Sequence, residues 1–438
     1  MESISPAEFA ARRANLLAFL AAQPQPAAAV LAANPERQRS RDTDYPYRQH
    51  SDFYYLTGFN EPNALLVLRP DSAAPQQIFV QPSDPHAEVW HGRRLGVDAA
   101  AEALGMDQAY SYDDDLEQLT ELLDGVETVF YLFDDTDLAD LLQQFGASMR
   151  RPKSGYQGAA RYSDLSGFMA QQRLYKSAAE IALMRQACSI SAEAHKRAMK
   201  ACKPGLFEYQ LAAELHYHFA FHGASGPAYG TIVGGGDNAC ILHYTENSAA
   251  LVDGELVLID AGAEFHGYAG DITRTFPVNG RFSADQAALY EVVLNAQLAA
   301  LAELRPGNTL LHAQQAAARA ITEGLLALGI LTGSLEDNLE QASHKRFFIH
   351  GLGHWLGLDV HDVGTYEVNG SKRVLEPGMV LTIEPGIYIP RGLSDVDARW
   401  QGIGIRIEDD ILITANGCDN LTAAVPKTIA EIEQWMRS

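Results

Sequence analysis

Two stretches of this chain repeat one plan. Residues 254–262, GELVLIDAG, and 378–386, GMVLTIEPG, each run from a glycine through an apolar segment to a carboxylate, Asp260 or Glu384, and reach a second glycine two residues later. Each is followed by another apolar segment with an embedded acid, Asp271 in DITRTF and Glu408 in IGIRIEDDILI. Each is also preceded by a pair of helical patterns. Ser177 and Glu180 open a helix with a stripe of Ile181, Met184 and Cys188 that ends before Pro204-Gly205, and FEYQLAAELHYHFAF follows, stopping at Gly223. SADQAALYEVVLNAQLAALAEL, closed by Pro306-Gly307, and LLHAQQAAARAITEGLLALGI make the second pair. Strand and helix repeats in one order predict an internally duplicated α/β domain whose halves face each other around a pseudo-twofold axis.

The acids of this repeat sit where acids are disfavoured. Asp and Glu are depleted in strands, and an ionised carboxylate on a buried face is costly unless paired or bound to metal. Strand ends reaching solvent, or pairing with Arg274 and Arg406, would account for any single one. Together the four carboxylates and one neutral imidazole supply about four negative charges, which two divalent cations would neutralise. Oxygen-rich ligation with a single His favours Mn(II), with Co(II), Fe(II) or Zn(II) as alternatives. A water between two such ions would be acidified enough to attack a carbonyl near neutral pH.

Residues 350–362, HGLGHWLGLDVHD, offer the imidazoles. His350 and His354 are spaced as on one helical face, but Gly351 and Gly353 lie between them, and glycine follows His350 where a zinc metalloprotease helix needs its catalytic Glu. Leu356, Leu358 and Val360 alternate with Gly357, Asp359 and His361, which predicts a loop running into a half-buried strand.

The first part of the chain, residues 1–172, reads as a separate mixed α/β domain, with candidate strands at AAAVLAAN, NALLVLRP, QQIFVQP and ETVFYLF; residues 173–438 form the duplicated domain. Arg12 and Arg13 before LLAFLAA imitate a signal peptide, but Glu2 and Glu8 oppose that reading. Ser5, Pro6 and Glu8 instead begin a helix with Phe9, Leu16, Leu17 and Leu20 on one face. A net charge of -23 argues against nucleic acid or an anionic membrane as partner. Cys188, Cys202, Cys240 and Cys418 are scattered without CxxC spacing, so a disulfide framework is not expected and a cytoplasmic location fits.

These residues resemble the pita-bread metallopeptidases, specifically the bacterial aminopeptidase P type. The resemblance runs through HGLGHWLGLDVHD, LVLIDAGAEFHGYAGDITRTFPVNG, ILHYTEN, LTIEPGIYI and GIGIRIEDD, and into the first half at YPYRQHSDFYYLTGFNEP and WHGRRLG. It implies an N-terminal domain of the creatinase/aminopeptidase P type over 1–172 and a pita-bread catalytic domain over 173–438. It implies a two-metal site, preferring manganese, built by Asp260, Asp271, His354, Glu384 and Glu408, with Asp271 and Glu408 bridging. The expected reaction is release of the first residue from peptides with proline second, by attack of a water held between the metals.

By the same resemblance and its chemistry, His243 and His361 would stabilise the tetrahedral intermediate and help protonate the leaving proline nitrogen, although a His in an apolar run is more often packed in a core. Glu384 could relay the proton of the attacking water. His350, Tyr388 and Arg406 are expected in the substrate pocket or as hydrogen-bond anchors behind it. Trp90 is expected to cap the cleft, from its own or a neighbouring subunit, or else to be simple core. The relatives suggest a homo-oligomer, a dimer or a tetramer. Prolidase, which shares the ligands but cuts Xaa-Pro dipeptides, is the competing enzyme. Methionine aminopeptidase lacks most of the first domain. A metal-free relative, a binding protein or a creatinase, would not keep five ligands.

Overall fold

The structure, a computed structural model, describes residues 3–438. Glu2, used above in weighing a signal peptide, lies outside the described residues. The chain divides into two compact units, Ile4–Gln172 and Arg173–Ser438.

The first unit is built on a six-stranded mixed sheet. Its four inner strands, Ala27–Ala32, Leu65–Leu68, Gln76–Val80 and Thr128–Tyr131, fall on the apolar segments that predict them. Ala27–Ala32 pairs antiparallel with Leu65–Leu68 and parallel with Thr128–Tyr131, and the side chains of Val30, Val67 and Phe79 are fully buried. Near-continuous apolar runs of this kind mark strands covered on both faces. The edge strands, Gln108–Ser111 and Arg161–Asp164, escape sequence reading because QAYS and RYSD are short and polar, as suits an edge. Helix Pro6–Ala21 starts as predicted, with the Ser5 hydroxyl accepting from the Glu8 N–H at 3.2 Å. Arg12 and Arg13 are buried. Arg13 donates to the carbonyls of Leu56 and Gly105, each at 2.9 Å, at the ends of helices Ser51–Thr57 and Val97–Leu104. Those are carbonyls that a helix leaves unpaired, at the negative end of its dipole.

The second unit contains the duplicated plan. Helices Ala178–Ala201 and Glu208–Phe221 precede a hairpin in which Leu256–Asp260 pairs antiparallel with Thr273–Pro277. Helices Ala284–Ala302 and Leu310–Ala327 precede a second, in which Val380–Ile383 pairs antiparallel with Asp409–Thr414. Capping boxes at Ser177/Glu180 and Ser283/Gln286 start the leading helix of each pair. Asp260 ends its strand opposite Thr273, and Ile383, just before Glu384, lies opposite Asp409, just after Glu408. The four acids therefore gather at the strand ends of two hairpins of the same design. The hairpins are tied together: the Arg406 N–H donates to the Thr275 hydroxyl at 3.1 Å, and the Glu408 N–H to the Thr273 carbonyl at 3.1 Å.

One expectation fails. Residues 356–361 form no strand, and Trp355 alone bridges to Leu381. Ion pairing overrides the alternation. The Asp362 N–H turns back to the Trp355 carbonyl at 2.9 Å, and its carboxylate takes the Lys176 ammonium at 2.9 Å and the Arg173 guanidinium. Leu356, Gly357 and Leu358 are all buried inside this closed loop, so the period of two has no sheet to serve.

Candidate metal centre and active site

Each ligand candidate owes its place to a backbone feature just described. His354 sits beside the bridge to the second hairpin: its N–H donates to the Thr382 hydroxyl at 3.1 Å, and the Thr382 N–H donates to its carbonyl at 2.9 Å. That close approach requires Gly353, where an added Cβ would lie 1.9 Å from the Thr382 carbonyl oxygen. Gly353→Ala is therefore expected to force the two segments apart at a cost of about 1–3 kcal/mol. Thermal unfolding of the variant measures this, and an unchanged midpoint would refute the packing argument.

One ligand atom each from Asp271, His354 and Glu408 lies within 4.8 Å of the others. His354 Nε2 is 3.5 Å from Asp271 and 3.6 Å from Glu384. Asp260 completes the group through Tyr229, whose hydroxyl bonds Asp260 at 2.7 Å and also reaches Asp271. Arg406 donates to Asp260 at 2.6 Å and to the Tyr388 hydroxyl at 2.8 Å, and that hydroxyl lies 2.7 Å from His350 Nε2. The Thr273 hydroxyl donates to Glu408 at 2.6 Å.

The electrostatics show what the cluster lacks. Burial pushes Glu384 up to about 7, with the negative Asp271 and Asp260 adding to the shift and His354 and Arg406 offsetting it. Burial and neighbouring carboxylates likewise push Glu408 well above the usual range, and Asp271 rises too. His354 moves the other way: burial opposes its charge, but contact with Asp271 and the charges of Asp271 and Glu384 outweigh it and hold it at about 9. Buried acids are thus short of positive charge, and a proton on His354 supplies some of it. An oxygen-rich donor set with one imidazole and a shortage of positive charge fits divalent cations.

The group opens on a cavity of about 540 Å³ within the second unit. His243, His350, His361 and Arg406 line it beside the five ligand candidates, and Ile232, Leu242 and Val360 supply apolar wall. The His354 and His361 rings meet edge to face, 4.3 Å apart between centroids. Burial, aided by the positive Arg406, lowers His350 to about 4, and burial also lowers His361, so both present neutral rings. Tyr388 stands behind the wall as the anchor of Arg406 and His350. Trp90 is not among these residues: it belongs to the first unit, on helix Pro85–His91, with its side chain 82% exposed, so the reading of it as core fails. Sequence reasoning missed Tyr229, because PAYGTIVGGG carries no pattern that separates a buried tyrosine from a turn residue.

The fold and this site define a class: the chain belongs to metallopeptidase family M24, which it matches over residues 182–415. Residues 9–131 match the N-terminal domain of aminopeptidase P. More particularly, the chain is 49% identical to the Xaa-Pro aminopeptidase of Escherichia coli over 440 residues, covering 100% of this chain and 99% of that one. The solved structure of Pseudomonas aeruginosa aminopeptidase PepP superposes with a TM-score of 0.97 at 48% identity, over 100% of this chain and 99% of that chain. Zinc-substituted E. coli aminopeptidase P in complex with product superposes with a TM-score of 0.95 at 48% identity, over 99% of each chain. No helix among the described residues is long and apolar enough to cross a membrane.

Proposed function

We infer that the chain is an Xaa-Pro aminopeptidase, a metal-dependent hydrolase that releases the first residue from peptides with proline at the second position. The observation that carries the reading is the convergence of Asp260, Asp271, His354, Glu384 and Glu408 on one cavity, in a chain 49% identical over its whole length to an enzyme of that name. These five residues would hold two divalent cations, Mn(II) first among them. Bound there, the ions supply Lewis acidity to the scissile carbonyl and lower the pKa of a water beside it.

The chain's own groups do the rest. Glu384, on the wall of the cavity, accepts the proton of the attacking water and can return it. His243 and His361 face the same cavity and donate hydrogen bonds to the carbonyl oxygen as it becomes anionic. The proline nitrogen carries no hydrogen in the peptide and must gain one to leave, so a donor on the cavity wall is needed. Arg406, tied to Asp260 and Tyr388, orients one ligand and closes the pocket beside His350. Peptides with a free α-amino group are the partners. A homo-oligomer and a cytoplasmic location complete the proposal; the four cysteines, all unpaired, suit a reducing compartment.

The test is initial rates on an Xaa-Pro-Xaa tripeptide and an Xaa-Pro dipeptide, with metal-stripped protein and after adding Mn(II). Mn-dependent turnover of the tripeptide at least about tenfold faster than the dipeptide is expected, a gap of about 1.4 kcal/mol in transition-state binding. Cleavage of the dipeptide alone would identify a prolidase, and silence on both with every divalent metal would end the peptidase reading.

A further inference from the structure

Helix Glu208–Phe221 begins with a carboxylate that is 0% exposed and lies outside the cavity lining. Its oxygens accept four hydrogen bonds, all from uncharged donors. Oε1 takes the Gly235 N–H at 2.8 Å and Asn238 Nδ2 at 3.0 Å; Oε2 takes the Tyr244 hydroxyl at 2.9 Å and the Ala249 N–H at 2.8 Å. The charge is met by position, since Glu208 is the first residue of a 14-residue helix and faces the positive end of its dipole. All four donors belong to one segment, 235–249, which carries His243 to the cavity wall. Tyr244, the next residue, packs its ring into a cluster with Ile232, Leu258 and Tyr388.

We propose that Glu208 is a positioning residue for the reaction: it clamps segment 235–249 so that His243 faces the substrate, a role that rests on the reading of His243 given above. The clamp needs an acceptor at both oxygens. Backbone N–H groups approach both oxygens, so a glutamine, whichever way its amide turns, sets its NH2 against one of them.

The experiment compares Glu208→Gln, Tyr244→Phe, His243→Ala and the double variants of each of the first two with His243→Ala, on the Xaa-Pro-Xaa tripeptide with Mn(II). Glu208→Gln is expected to lower kcat by about 10–100-fold with KM within about threefold, the range seen when support of a functional group is lost. Combined with His243→Ala, either substitution should cost less than about threefold further, because a residue acting through His243 has little left to disturb. Losses that multiply in the double variants would overturn the proposal. Hydrogen exchange supplies a readout apart from activity: the Gly235 and Ala249 amides should lose at least about tenfold protection in Glu208→Gln. Unchanged protection would overturn the clamp. Full activity of His243→Ala would instead sink the reading of His243, and this role of Glu208 with it, while the exchange result still reports on the clamp. Should Glu208→Gln fail to fold, Tyr244→Phe, which keeps the ring and removes one donor, carries both tests.

Discussion

Asp271→Asn is expected to lower kcat/KM on an Xaa-Pro-Xaa tripeptide by about 10³ or more, and to lower bound metal in parallel, because on the proposed ligand set Asp271 contributes several kcal/mol of charge stabilisation. The substitution keeps the shape and removes one negative charge. The backbone has its own hold, since the Asp271 N–H donates to Asp410 at 2.9 Å, so the loop should stay in place. Without metal the effect on stability should be small: burial opposes ionisation of Asp271 and the nearby Asp260 adds to it, while the contacts with His354 and Tyr229 favour it, so the stripped variant should unfold close to the midpoint of stripped wild type. Metal content per chain, the tripeptide rate and the unfolding midpoints of stripped proteins check all three parts. A variant with full activity and full metal occupancy would remove Asp271 from the centre.

The second large effect is on stability. Asp362 closes the loop behind His354 and His361, with the side chains of Asp362, Lys176 and Arg173 only 1%, 1% and 2% exposed. Asp362→Asn removes the carboxylate shared by two buried cations, Lys176 and Arg173, the second of which also pairs with Asp359 at 2.7 Å, and breaking such a group costs about 3–5 kcal/mol. For a unit of this size that corresponds to a midpoint lower by roughly 10 °C. The pH dependence has a definite sign. Burial opposes the charge of Asp362, but Lys176 and Arg173 hold its carboxyl below the usual range. A depressed folded pKa contributes stability above the unfolded value of about 3.9 and loses it as pH falls through the folded one. The gap between wild type and variant should therefore be full at pH 7 and narrow below about pH 4. Equal midpoints at pH 7 would show that the triad does not hold the loop.

The ligand candidates were legible in the sequence because an acid within an apolar run is a local contradiction, and Asp260, Asp271, Glu384 and Glu408 repeat it in matched places. The helices were legible through caps such as Ser177 with Glu180. What stayed hidden depends on partners distant along the chain. The alternation after His354 imitates a strand until Lys176 and Arg173 draw Asp362 into a loop. Arg12 and Arg13 look like surface charge until the helix ends they serve are present. Glu208 reads as an ordinary first-turn acid, and nothing near it announces the segment it holds. The likeness to known metallopeptidases carried the reading of His243 and His361, whose immediate neighbours alone would leave them as packed histidines.

The wide separation of the proposed ligands along the chain has a consequence for synthesis in the cell. Asp260 and Asp271 emerge from the ribosome well before His354, Glu384 and Glu408, so a partly made chain carries only a fragment of the centre. On the proposed ligand set, a chain that ends before Glu408 is expected to lack activity.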